Sequence, residues 1–361
     1  MRKLYGFLVL VVLMCGCHVP SRVAMENSGG RTDYNVSIQK TNSAEMLLNL
    51  VRLRYYDTPF FLQVSNVTTQ MTFKGAALPA LSFPGHQDDT FGLGGELSWT
   101  DQPTIQYTPL EGQQFATQLL QPINLSTLQL LINTGWDVDR LFRLAIQSFD
   151  TLTNAPIGSG PASEIIAKYR EFFEATKLMR YFQAEGTLRV GIEALKKDEE
   201  GEPEEEILQI AFPADGHEAK RLVELLGNAK QVENMYVISM FKGYTSKGVI
   251  GVLPRSLLAC MYYLSMGVIT PQVDVTMGKV TKLDKSNYVW KDMIYDLIKI
   301  KNCTGTPSNA YAAVKYRGSW FYISDEDLNS KRTFMMLLQL YNLQSITHKK
   351  SPPLLTLPLG K

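Results

Sequence analysis

Cysteine and histidine are scarce in this chain, with four of each among 361 residues. There is no CxxC and no Cys/His cluster, so nothing in the sequence supports a zinc site or another metal site. The motifs HExxH, GxSxG and GxxxxGK[ST] are also missing, so the sequence names no catalytic residue and no cofactor. His18, His86, His217 and His348 have no Ser, Cys or carboxylate partner at an identifiable spacing. Triad partners need not be neighbours in sequence, so a hydrolase of unrecognised type stays open. No run of Lys or Arg exists, which excludes nucleic acid as a partner. Ser37-Ile38-Gln39-Lys40 matches SxxK without its companion motifs, and the Gly-rich stretches 92–95 and 158–160 lack the strand and helix that flank a phosphate cradle.

Long hydrophobic runs are equally short in supply. Leu257–Ile269 is broken by Ser265 and Gly267, and it falls below the roughly 20 residues that cross a bilayer. It reads as a buried helix. The other apolar run stands at the start, in MRKLYGFLVLVVLMCGC. Arg2 and Lys3 form a positive n-region, Leu4–Met14 a short apolar core, and Met14-Cys15-Gly16-Cys17 a lipobox-like end. Cys17 is the expected site of lipidation. A modified Cys15 would place Met14 at the cleavage point, where a small residue is wanted. An ordinary cleaved signal peptide and an uncleaved N-terminal anchor are the rival readings. Acyl chains on Cys17 would give a stable membrane anchor, because two or more chains hold where one is marginal. His18 is not the Asp that retains many such proteins at the inner membrane, which points to the outer membrane, facing the periplasm.

Loss of Arg2 and Lys3 with the leader takes the 36 basic residues to 34 against 35 acidic, a net charge of −1. Membrane contact would therefore be through lipid. An oxidising compartment would permit a Cys260–Cys303 disulfide. However, Cys260 lies in an apolar helical run and Cys303 in the turn-like Asn302-Cys303-Thr304-Gly305, so two free thiols are expected.

The remaining organisation reads as α+β, with helices interspersed with hairpins and short strands in one large or two closely packed domains. The expected divisions are a leader 1–16, a polar tether 17–33, an N-terminal domain 34–155 and a C-terminal domain 156–361. Asn42 and Glu45 suggest a capping box, followed by an apolar arc of Met46, Leu47, Leu50, Val51 and Leu53. Arg54 falls within that arc. A guanidinium there needs a structural partner or serves to bind an anion. Val67, Thr69, Met71 and Phe73 alternate as a strand, and 74–103 reads as a long irregular loop. Helices are expected at 111–120, 125–134, 137–150, 162–184, 215–226 and 254–266. Strand pairs are expected at 187–194 with 207–212, and around Arg317-Gly318. A last helix, capped by Asp325, should be buried nearly all round over 334–343. The run KKDEEGEPEEE holds seven acids between Asp198 and Glu206, and reads as a solvated tip rather than a calcium or partner site.

Trp320 and Tyr322 occupy one face of the second strand around Arg317-Gly318, and Phe321 and Ile323 the other. Trp136 lies elsewhere. These aromatics are either core or a platform for glycan or lipid.

Two stretches, NSAEMLLNLVRLRYYDTPFFLQVSNVTTQ and YRGSWFYISDEDLNSKRTFMMLLQLYNLQ, resemble an uncharacterised family of Gram-negative lipoproteins of unknown function. The stretch PTIQYTPLEGQQFATQLLQPI also fits, and the resemblance spans most of 34–357. It implies a lipid-anchored envelope protein and transfers no site residue. The expectation is a non-enzymatic envelope lipoprotein whose periplasmic body binds an envelope protein partner.

Overall fold

The computed structural model describes residues 31–77, 95–155, 169–197, 203–243, 248–281, 290 and 293–345. The fold is α+β. The chain divides into two units, Phe60–Ala116 and the combination of Met1–Pro59 with Thr117–Lys361. The division expected at 155–156 is therefore corrected. Strands on both sides of that point belong to one sheet, and pairing between distant strands leaves no mark in local composition.

Helix α1 (Arg31–Arg54) buries Met46, Leu47, Leu50, Val51 and Leu53, the arc its spacing predicts. It begins well ahead of Asn42 and Glu45, which are interior residues rather than a capping box. Residues 31–33 of the expected tether are helical. The leader, Cys17 and residues up to 30 lie outside the described residues, as does the acidic tip at 198–202.

The smaller unit is built on a β-ribbon. Strands β1 (Leu62–Ala77) and β2 (Gly95–Pro109) pair antiparallel over their whole length. Residues 74–77 and 95–103 are thus strand, which corrects the irregular loop expected there. The low-hydropathy composition of β2 conceals a regular alternation. Past the ribbon, the Leu110 amide donates to the Phe61 carbonyl, and the Phe61 and Phe115 rings meet edge to face. Helix α2 (Gln113–Leu120) starts in this unit and ends in the larger one.

In the larger unit, α3 (Leu125–Asn133) stops at Gly135, whose φ of +97° lets Trp136 bond back to Leu131. Helix α4 (Val138–Ala145) follows. Asp137 precedes it without capping it; the carboxylate pairs with Arg180 at 2.8 Å, and Gln183 accepts from the Val138 amide. The helix expected to reach 150 ends at Ala145, and Ile146–Phe149 is strand β3, paired with β4 (Leu152–Thr153). Then come α5 (Tyr169–Ala184), β5 (Arg189–Lys197), β6 (Pro203–Pro213), α6 (His217–Leu226), β7 (Lys230–Val232), β8 (Met235–Lys242) and β9 (Ile250–Pro254). The sheet order is β4-β3-β9-β8-β6-β5, with β7 beside β8; only β8 and β9 run parallel. Stacked Phe149 and Phe172, and stacked Phe182 and Phe212, fasten α5 to the sheet.

Helix α7 (Leu257–Ser265) is buried on nearly all sides and touches α1, α4 and the C-terminal helix α9 (Leu328–Ser345). Its Cys260 and the half-buried Cys303 are free thiols, and burial pushes the Cys260 thiol up to about 12. Between α7 and α9 lie α8 (Gln272–Thr276), β10 (Lys301–Cys303), β11 (Ala310–Tyr316) and β12 (Ser319–Ser324). The last three form a sheet with β12 in the centre. Helix α9 buries Phe334, Met336, Leu337 and Leu340, but Met335 and Leu343 are exposed at 45% and 36%, so it is not buried all round as expected. Its first turn is capped by Asp327, which accepts from the Ser330 amide, while Asp325 pairs with Lys331.

The early end of α4 has a tertiary cause. Arg255 is wholly buried and donates to the carbonyls of Arg143, Leu144 and Ala155 at 2.7–3.0 Å. Its own amide donates to the Ala145 carbonyl, and Asn154 Nδ2 donates to those of Arg143 and Ile146. These donors take the last carbonyls of α4, and the guanidinium lies 4.1 Å from the Tyr263 ring centroid. Without Arg255, Arg143 O keeps Asn154 and Leu144 O keeps the Cys260 thiol; Ala155 O has Arg255 alone among the described contacts. Arg255→Met should therefore lower the unfolding free energy by about 1–3 kcal/mol, the cost of one stranded buried acceptor. Arg255→Lys should recover less than half, since an ammonium cannot reproduce the planar fork. Urea denaturation of the three proteins checks this.

Candidate functional site

The residues singled out from sequence are dispersed. Arg54 is 2% exposed and donates to the Thr281 carbonyl at 3.1 Å, a structural partner rather than an anion. Burial lowers its pKa, and Tyr56 and Tyr55 oppose that. Trp320 and Tyr322 share the half-buried face of β12, while Phe321 and Ile323 are buried on the other. Trp136 is held by other elements; its indole donates to Gln339 at 2.7 Å and its carbonyl accepts from Gln183. The two tryptophans thus do not form one platform, though neither is fully buried.

A polar network that the sequence did not reveal joins the end of α1, the α8 turn and the β11–β12 turn. Tyr55 donates to Asp274 at 2.7 Å, and Lys279 pairs with the same carboxylate at 2.9 Å. Tyr316 donates to Asp57, and Arg317 pairs with Asp57 at 2.9 Å. The Arg317 guanidinium lies 5.0 Å from the Tyr55 ring centroid, which links the two halves. Thr281 donates to the Tyr56 hydroxyl. The backbone is left-handed at Tyr56, Arg317 and Gly318, with φ of 60°, 46° and 88°. Consecutive positive φ at Arg317 and Gly318 give the tight turn that suits a hairpin.

Electrostatics define what this network does. The hydrogen bond from Lys279 holds Asp274 below the ordinary carboxylate range, against the opposing effect of burial. Burial works to raise Asp57, but Tyr316 and Arg317 together outweigh it and its pKa is also lowered. Tyr55 and Tyr316 are raised, first by burial and then by the carboxylates they face. A general acid or base works best with a pKa near the operating pH. These groups are pushed away from neutrality, so the network binds elements together. The signal in the sequence was slight: Tyr55-Tyr56-Asp57 and Tyr316-Arg317-Gly318, each polar-aromatic at the end of an element.

An open groove of about 500 Å³ lies along α5, lined by Tyr169, Phe173, Glu174 and Lys177 among others. Its acid is already engaged, since Glu174 pairs with Arg221 at 2.8 Å. Arg143 lies over the Phe173 ring at 3.5 Å while pairing with Asp296. No group of His, Cys, Asp and Glu that could hold a metal occurs among the described residues.

The β1–β2 ribbon is the feature with most to offer a partner. Its register places Leu62 opposite Pro109, Val64 opposite Tyr107, Val67 opposite Ile105, Thr69 opposite Pro103, Met71 opposite Asp101, Phe73 opposite Trp99 and Gly75 opposite Leu97. The intervening rows pair Gln63 with Thr108, Asn66 with Gln106, Thr68 with Thr104, Gln70 with Gln102 and Thr72 with Thr100. Alternate rows belong to opposite faces, so one face collects most of the apolar residues, with Thr69 and Asp101 among them, and the other is polar and uncharged from Gln63–Thr108 to Thr72–Thr100. A bulge at Ser65 makes this possible. Val64 and Val67, three apart, would otherwise fall on opposite faces. Leu62, Ile105 and Tyr107 are 37%, 39% and 49% exposed. No helix among the described residues is long and apolar enough to cross a membrane, a statement that does not bear on strands.

The chain matches no family model, no curated protein and no solved structure.

The network yields a pH prediction. Asp57 and Asp274 titrate lower when folded than the roughly 3.9 of an unfolded Asp, so their contribution is complete above about pH 4 and disappears as pH falls through their folded values. Thermal unfolding should show Asp274→Asn less stable at neutral pH with a flatter acid limb than wild type. Parallel acid limbs would remove Asp274 from the account.

Proposed function

We propose that this protein is a non-enzymatic envelope lipoprotein, lipid-anchored through Cys17 at the outer membrane, whose body engages another envelope component through the β1–β2 ribbon. The ribbon is the observation that carries the reading. Two strands alone are marginal in water, because a ribbon has one apolar face and nothing of its own to bury it. Here the two strands are 16 and 15 residues long and form a unit of their own, with Leu62, Ile105 and Tyr107 exposed on the apolar face. Such a face is normally covered by a partner. The leader supplies the anchor: a positive n-region, a short apolar core and a cysteine after Gly16.

Both halves are testable. Wild-type protein should fractionate with the membrane and carry acyl mass on Cys17, and Cys17→Ala should leave the membrane. Retention of Cys17→Ala with an unacylated wild type would sink the anchor. A photocrosslinker at Tyr107 should capture a discrete species in cells, and the same probe on α6 at the exposed Lys220 should not. Equal labelling from both positions would remove the ribbon as the contact arm.

A further inference from the structure

The two faces of the ribbon say more about what covers it. We infer that ribbons from several copies of this chain pair edge to edge into a closed β-barrel that spans the membrane, with apolar rows against lipid and polar rows around a lumen. This deepens the reading of the ribbon as a contact arm and rests on it.

Three features of the ribbon carry the inference. First, its alternation is that of a spanning strand, mainly apolar on one face and polar on the other, and it runs along both strands in register with Thr69 and Asp101 as the polar residues on the apolar face. Second, aromatic rows bracket the apolar face. Val64–Tyr107 stands at one end and Phe73–Trp99 at the other, so the stretch 99–107 has the roughly 9–11 residues of a membrane-crossing strand. Aromatic residues at both interfaces are the mark of such barrels. Third, the polar rows between those limits hold Asn66, Thr68, Gln70, Thr72, Thr100, Gln102, Thr104 and Gln106, with no charge. Lys74 and Glu96 come only in the two rows beyond. A ribbon face bathed in bulk solvent is usually rich in Lys and Glu; a polar, uncharged face fits a lumen.

Second copies follow from the topology. Among the described residues the sheet has two strands, so each strand has an edge with no neighbouring strand. Backbone groups cannot be left without partners in hydrocarbon, and a spanning sheet must therefore close on itself. Barrels of this kind have eight or more strands, so about four copies is the minimum. Three residues run against the pattern. Thr69 puts a hydroxyl on the apolar face, in the row it shares with Pro103. Asp101 lies on the apolar face but only one same-face row from Phe73–Trp99, toward the interface, where the penalty for an acid is small. Pro103 lacks an amide and removes at most one bond from one ladder.

The test uses the full-length acylated protein, purified in detergent and added to planar bilayers of phosphatidylethanolamine and phosphatidylglycerol. The expected result is an assembly of four or more copies by light scattering, with discrete conductance steps. Adjacent residues on opposite faces give the decisive pair. Ile105→Lys should abolish both assembly and conductance. Thr104→Lys should keep both and raise the chloride-to-potassium permeability ratio roughly twofold or more, since it places one positive charge per copy at the lumen. Matching thermal melts show that both variants fold. A monomer without conductance overturns the barrel, as does an assembly in which Ile105→Lys behaves like wild type. If Tyr107 then captures a different envelope protein, the contact-arm reading stands and the barrel alone fails. If an unacylated protein forms the conducting assembly, the anchor fails and the barrel stands.

Discussion

A single buried guanidinium governs how the larger unit is put together. Arg255 lies just after β9 and has no carboxylate among its contacts with the described residues; carbonyls of Arg143, Leu144 and Ala155 and the face of Tyr263 surround it instead. Desolvation lowers its pKa, so the cation is costly to bury and has to be met by every acceptor within reach. Those acceptors are the final carbonyls of α4. Capturing them ends the helix, turns the chain into β3, and lets β3 pair with β9. From there the tie continues through Tyr263, whose hydroxyl donates to Met293 O. Arg143 donates to that same carbonyl and packs over Phe173 of α5. Arg255 and, through Tyr263, the second buried guanidinium of Arg143 thus connect α4, α5, α7, β3 and the 293–296 segment.

The smaller unit obeys a different rule. Its register is local, its partner strand is the next one in the chain, and its two faces are sorted by a period of two. Nothing like Arg255 is needed to hold it. What it requires is one adjustment of phase, supplied by the bulge at Ser65, which moves Val64 into line with Val67, Met71 and Phe73. A slip of one residue would invert both faces. The same adjustment makes the ribbon regular and gathers its apolar residues on one face, so the feature that shapes the ribbon also gives it a surface to offer.

Legibility in the sequence followed the range of the interaction. The α1 arc, the place of Arg54 within it, the apolar run of α7 and the hairpin around Arg317-Gly318 all show as patterns or dihedral preferences within a few residues, and each was readable. The ribbon was readable only over Val67–Phe73. Beyond this stretch, Gly75, Pro103 and Asp101 diluted the alternation until it looked like a loop. The Tyr55–Asp274 and Tyr316–Asp57 network was hidden, because its members lie 219 and 259 residues apart.

The sequence by itself determined the α+β class, the amphipathic helices and the absence of familiar catalytic and metal motifs. These depend on composition and on periods of two and 3.6 residues, which the chain carries locally. Only the tertiary structure decided where α4 stops, which strands share a sheet, that the chain divides at Phe60–Ala116 rather than at 155, and that 74–77 and 95–103 extend one ribbon with two chemically distinct faces. Each of those outcomes depends on a partner far along the chain or on a register between strands. Neither a cation's demand for distant carbonyls nor the phase of a bulge is expressed in any short window of residues.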